Sequence, residues 1–138
     1  MCIRDRFYTD KIYSEPVRLL ARLHAASGAP TFRYRFAYVP EARRANPEGG
    51  HGRELQFIFG TEGVPGAGIL SRRDRAVASH MRAYWINFAR SGDPNGSDLP
   101  RWDAAKGDRL LLITNVRIAS GDDPLAERLD RLAGEGRK

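Results

Sequence analysis

Apolar residues recur along this chain with two different periods. Over 14–28, Leu19, Leu20, Leu23 and Ala26 fall at helical spacing, which predicts a short helix that buries this stripe and turns Arg18 and Arg22 away. Ser14 stands where a cap belongs, Glu15 and Pro16 suit a first turn, and Gly28 suits a left-handed stop. After Pro30 the period changes to two. Phe32, Tyr34, Phe36 and Tyr38 then share one face and Arg33, Arg35 and Ala37 the other, so Thr31 to Val39 is expected to be a strand closed by Pro40.

A polar, glycine-containing loop covers 40–52, and a compact apolar stretch follows through Leu55, Phe57, Ile58 and Phe59. A second loop, 60–70, holds four glycines. Ser71 and Asp74 are spaced like a capping box, and Val77, Met81, Tyr84, Trp85 and Phe88 recur at helical spacing until Gly92 and Pro94, predicting a helix of about five turns. Asp93 to Gly96 reads as a turn, 110–113 as a short strand and 124–132 as a short amphipathic helix, with 134–138 frayed. Neither an internal repeat nor a domain boundary is visible.

Length narrows the picture: 138 residues allow one domain, and 41% hydrophobic residues with a mean hydropathy of −0.52 suit a globular chain rather than a disordered one. No apolar run approaches the roughly 18–20 residues that cross a bilayer, and Met1 to Arg6 lacks the apolar stretch of a signal peptide. A lone Cys2 excludes an internal disulfide and a thiolate zinc cluster. The net charge of +6 raises the question of nucleic acid, but the bases are spread thinly, and adjacent ones occur only as pairs such as Arg43-Arg44 and Arg72-Arg73. A solvated, arginine-rich surface is the expectation, with no nucleic-acid partner and no membrane partner.

Familiar catalytic motifs are mostly absent from the chain. None of the seven serines lies in Gly-x-Ser-x-Gly, and no dinucleotide or P-loop pattern follows a strand. His24, His51 and His80 lie 27 and 29 residues apart, so none has a helical i+4 partner for a metal; no metal site and no cofactor site is expected. His24 and His80 sit on helices beside apolar positions and read as packing or hydrogen-bonding residues. His51 differs: its glycine flanks, Gly50 and Gly52, and its place on a loop beyond a strand leave both a functional and an ordinary loop role open. The aromatic strand could stack bases, but the RNA-binding signature needs a glycine inside the run, so a core-facing stripe is the better reading.

Three blocks then fall into register. His51-Gly52-x-Glu54-Leu55-x-Phe57-x-Phe59-Gly60, Met81-x-x-Tyr84-Trp85-Ile86-Asn87-Phe88-Ala89-Arg90-Ser91-Gly92-Asp93-Pro94-Asn95-Gly96 and Leu99-Pro100-x-Trp102 resemble the C-terminal portion of type-B carboxylesterases. That is the family of cholinesterases and bacterial para-nitrobenzyl esterases. The similarity extends over about residues 7–133, which the resemblance makes the C-terminal portion of a single α/β-hydrolase domain: the last sheet strands and a long C-terminal helix, incomplete. Residues 1–6 match nothing in the family and look like an unrelated leader.

The resemblance carries the catalytic base onto His51. It makes Glu54, with Gly52, a support of the histidine loop and not the triad acid. Triads on this fold run Ser, then Asp or Glu, then His, so a C-terminal piece keeps the histidine and lacks the nucleophile, the acid and the oxyanion loop. Implied partners are a small-molecule ester and the missing N-terminal part of the same chain, without a cofactor. Such a fragment is expected to be inactive alone. Two other classes stay open: a non-catalytic adhesion-type relative on the same fold, and a small basic nucleic-acid binder.

Overall fold

The computed structural model describes residues 7–45, 52–62 and 68–135. The first predicted helix forms as α1 (Glu15–Ala26), but it does not begin at a cap. A π-helical turn, Asp10–Ser14, runs straight into it, with the Glu15 N–H reaching back to Asp10 O. Ser14 consequently has helical angles, φ −68° and ψ −45°, and makes no capping bond. Pro16, which has no N–H to donate, is accommodated in the first turn.

The buried face of α1 is not the expected one, although Arg22 is exposed as foreseen. Arg18 is 2% exposed and Ala21 is buried, whereas Leu20 and Leu23 are 67% and 63% exposed and Leu19 and Ala26 are exposed as well. Electrostatic pairing decides the orientation. Arg18 Nε and Nη2 grip both oxygens of Asp108 at 2.6 and 2.7 Å, its Nη1 donates to Asp130 at 2.8 Å, and Arg22 adds contacts to Asp108 at 3.1 Å. A forked guanidinium on a carboxylate combines two charge-assisted bonds in one geometry, and turning the leucines inward would strand it.

The aromatic run forms a strand much shorter than 31–39. β1 (Tyr34–Phe36), β2 (Arg109–Ile113) and β3 (Ile118–Asp122) make one sheet in the order β1-β2-β3. Leu111 N–H donates to Arg33 O and Ala37 N–H to Ile113 O, both at 2.8 Å, so β1 and β2 advance in the same direction. β2 and β3 are antiparallel, closed by Thr114 N–H on Arg117 O and Asp123 N–H on Asp108 O. β2 buries Leu110, Leu111 and Ile113, on both of its faces, as parallel strands do. β3 carries no alternating pattern and contains Gly121, where a Cβ would lie 3.3 Å from Leu112 Cδ1; it escapes a reading based on periodicity.

The chain divides into two compact units. One holds everything up to Arg35, with Trp102–Leu112 and the chain from Ala119 onward; the other holds Phe36–Arg101 with Ile113–Ile118. In the first, Trp102 meets Phe32 and Tyr34 edge-on at 5.9 and 6.1 Å and donates its Nε1–H to Arg33 O at 2.9 Å. The arginine side of β1 is paired as well: Arg33 and Arg35 reach the buried Asp123 at 2.7 and 3.3 Å. In the second unit, α2 (Leu55–Phe59) packs on α3 (Arg72–Ser91). α3 has the expected Ser71–Asp74 capping box and left-handed Gly92 stop, and buries Met81 and Tyr84 from the expected stripe while Phe88 stays 50% exposed. The last helix, α4 (Ala126–Glu135), continues through Gly134, where fraying was expected.

The Asp108 carboxyl is held below the ordinary carboxylate range by the Arg18 hydrogen bonds, which outweigh a burial that pushes it up. A lowered folded value means a stabilisation that is present above the unfolded value, near about pH 4, and lost as pH falls through the folded one. Asp108→Asn should therefore cost about 2–4 kcal/mol near neutral pH, because it leaves Arg18 buried and half-paired. Urea unfolding repeated from pH 6 to pH 2 checks both parts. The wild-type stability should fall toward that of the variant as the pH drops, and parallel curves would contradict the assignment.

Candidate active-site loop

The histidine singled out by the sequence, His51, and residues 46–50 before it lie outside the described residues. The structure does describe both ends of the loop that carries it, and all the anchoring residues belong to the second unit. At the near end, the chain leaving β1 is fastened three times. Ala37 N–H donates to Ile113 O, Asn115 accepts from Val39 N–H at 3.0 Å and donates back to Val39 O at 2.7 Å, and the Tyr38 hydroxyl donates to Asp74 at 2.6 Å. A 3₁₀ turn, Glu41–Arg43, follows, and its first N–H also points at Asp74, 3.3 Å from each carboxylate oxygen.

Asp74 is the third helical residue of α3 and is fully buried. Besides Tyr38 and Glu41 it accepts the Ser71 N–H at 2.9 Å, and its own N–H donates to Ser71 Oγ at 3.2 Å. Burial pushes this carboxyl up, but the hydrogen bonds from Tyr38, Ser71 and Glu41 together outweigh it and hold the group below the usual carboxylate range. Tyr38 moves the other way, pushed up to about 12 by burial and by its bond to the Asp74 carboxylate. An ionised carboxylate and a protonated phenol therefore persist together across the neutral range, also favoured by the positive end of α3. The capping role of Asp74 was legible from its spacing to Ser71. Its grip on Tyr38, 36 residues earlier, had no sequence signal.

At the far end, Gly52 resumes the chain with φ +78°, a left-handed conformation in which a Cβ would also come within 3.3 Å of Leu55 Cδ1. Leu55 N–H donates to Gly52 O, and α2 starts from Glu54, whose carbonyl takes the N–H groups of Phe57 and Ile58. The described bonds of Glu54 are thus made by its backbone; its half-buried carboxylate has no hydrogen-bond or ion-pair partner among the described residues. Buried Arg53 Nε and Gln56 Oε1 also lack hydrogen-bond partners among the described residues. Phe57 then locks the helix down, fully buried against Phe36 at 5.1 Å and Tyr38 at 5.7 Å, while Arg82 of α3 approaches Phe57 O at 3.5 Å.

The other histidines fall elsewhere. His24 is exposed and its Nδ1 lies 2.8 Å from Thr31 Oγ1, a hydrogen-bonding role as expected. His80 is half-buried on α3. Among the described residues, no group of three or more His, Cys, Asp or Glu side chains is arranged to hold a metal, and no helix is long and apolar enough to cross a membrane.

Comparison with known proteins adds a relationship. A model of the carboxylesterase family matches residues 4–123. Mouse carboxylesterase 5A is 33% identical over 130 residues, covering 86% of this chain and 23% of that protein, and rat carboxylesterase 1D is 36% identical over 97 residues, covering 67% and 17%. The chain thus spans about a quarter or less of the length of the curated relatives it matches. Among solved structures, the Geobacillus stearothermophilus carboxylesterase EST55 superposes with a TM-score of 0.72 at 31% identity, over 91% of this chain and 27% of that one. The three-stranded sheet and its helices are accordingly part of an α/β-hydrolase fold.

Two substitutions test the anchors. Tyr38→Phe should cost about 1–2 kcal/mol, because it removes a charge-assisted bond and leaves the Asp74 carboxylate short of a donor. Gly52→Ala should cost about 1 kcal/mol or more through its positive φ and the contact with Leu55. Chemical denaturation gives both values, and amide exchange at Glu41 should accelerate in Tyr38→Phe but not in Gly52→Ala.

Proposed function

The chain belongs to the carboxylesterase family, and from that membership we propose that it is the C-terminal portion of a carboxylic-ester hydrolase in which His51 is the general base. The observation that carries this reading is the His51-Gly52-x-Glu54 block, bracketed by an upstream anchor on Asp74 and a downstream helix that starts at Glu54. A loop tied at both ends can hold an imidazole in one place without a rigid backbone of its own. Glu54 and Gly52 support that loop; the acid of the triad is a separate carboxylate supplied upstream.

In the complete enzyme, the imidazole of His51 takes the proton of a serine hydroxyl as the oxygen attacks the ester carbonyl. It returns that proton to the leaving alkoxide, and the same two transfers with water release the acid from the acyl-enzyme. The serine, the acid that orients the imidazole and the donors that stabilise the oxyanion come from the N-terminal part of the same polypeptide. The substrate is a small-molecule ester, and this acyl transfer needs no cofactor.

Surface features support a chain that packs against more of a hydrolase body. α1 turns Leu20 and Leu23 outward, and β1 stands at the edge of a sheet although it is paired in parallel, a strand type usually covered on both sides. Buried Arg53 Nε and Gln56 Oε1, just beyond His51, suit partners from that body.

Two measurements test the reading. Turnover of para-nitrophenyl acetate by the chain and by His51→Ala should be equal, since no nucleophile is present for the base to serve; a large His51-dependent rate would refute it. The coding sequence upstream of Phe7 should contain Gly-x-Ser-x-Gly followed by the acid. An upstream hydrolase sequence without that serine would point to the non-catalytic relative instead.

A further inference from the structure

The second unit carries a groove of about 220 Å³ between the first half of α3 and the turn joining β2 to β3, lined by apolar Val77, Val116 and Ile118 and by Arg73, Arg117 and His80. Two of its polar side chains are uncommitted. His80 is half-buried, yet its ring has no hydrogen-bond or ion-pair partner among the described residues, and neither has the guanidinium of Arg117. Among the described residues no carboxylate lines the groove, and the one hydroxyl-bearing aromatic there, Tyr38, is committed to Asp74.

The wall is built rather than loose. Arg73 Nη2 donates to Asn115 O at 2.5 Å, while the Asn115 side chain is held to both backbone groups of Val39. No described non-glycine residue takes a positive φ, so the turn forgoes the primed types usual for two-residue hairpin loops. It is tightened instead by Thr114, whose hydroxyl accepts the N–H groups of Val116 and Arg117 and donates to Arg117 O. At its tip Val116 is 89% exposed, an apolar side chain that a ligand in the groove would cover.

We infer that this groove binds a small monocarboxylate with a short apolar tail or ring. The carboxylate pairs with Arg117 and the His80 imidazole, a planar fork meeting a planar anion, and the apolar part lies against Val77, Val116 and Ile118. A space below the roughly 300 Å³ at which drug-sized sites begin suits a benzoate-sized molecule. None of this draws on His51, so the site stands or falls apart from the hydrolase reading.

Sodium benzoate, with benzamide as its uncharged counterpart, provides the probe. Titrated into the full chain and followed by ¹H–¹⁵N NMR, benzoate should saturate in the millimolar range with shifts at Val77, His80, Val116 and Arg117. Benzamide should bind about tenfold more weakly, and Arg117→Gln should weaken benzoate by a similar factor. Val116→Glu, at an exposed tip where packing is not at stake, should abolish benzoate binding, while Arg90→Gln, exposed further along the same helix, should leave it unchanged. Equal binding of benzoate and benzamide, shifts at other residues, an unaffected Arg117→Gln, or no benzoate binding would each overturn the assignment.

Discussion

The carboxylate of Asp74 is where the second unit is tied together. It receives donors from three places: the end of the aromatic run, the turn that leaves it, and the residue that opens α3. A fully buried carboxylate without such donors would give up its charge or leave the core, so the three segments and the charge stabilise one another. Because the turn at Glu41 leads into the loop that carries His51, and because Tyr38 also packs on Phe57 of α2, both ends of that loop depend on the same carboxylate.

The first unit solves the converse problem around a cation. Arg18 is buried, and its hydrogen bonds to Asp108 and Asp130 set which side of α1 faces inward. Asp123 performs the same service for Arg33, just before β1, and for Arg35 within it. In both units a residue read as surface charge or as a cap turns out to be an interior organiser, and its partner is remote in sequence, 90 residues away for Arg18 and Asp108. Such pairs contribute modestly to net stability but penalise any arrangement that separates them, which makes them devices of specificity.

Membership of the carboxylesterase family was legible from three blocks in register, because spacing along a chain is preserved in the linear text. The site was legible in part: the residue types around His51 and the helix-stopping glycines are local features. The groove at His80 was not, since it needs the β2–β3 turn, more than 30 residues later, to come beside α3. His80 read as a packing residue because its own helix offers apolar neighbours at the right spacing, and nothing nearby in sequence announces Arg117.

By itself the sequence determined where helices and strands could form, most securely α3, whose capping box, stripe and glycine stop are all encoded within a few residues of where they act. It also determined the order of the family blocks. Tertiary structure alone decided that α1 turns its leucines outward, that β1 shrinks to three residues beside β2, and that the glycine-bearing Ile118–Asp122 becomes a strand. The division has a physical reason. Periodicity and capping are set by backbone geometry over one or two turns, whereas the burial of a charge depends on whether its partner arrives, and that partner is chosen by the fold as a whole.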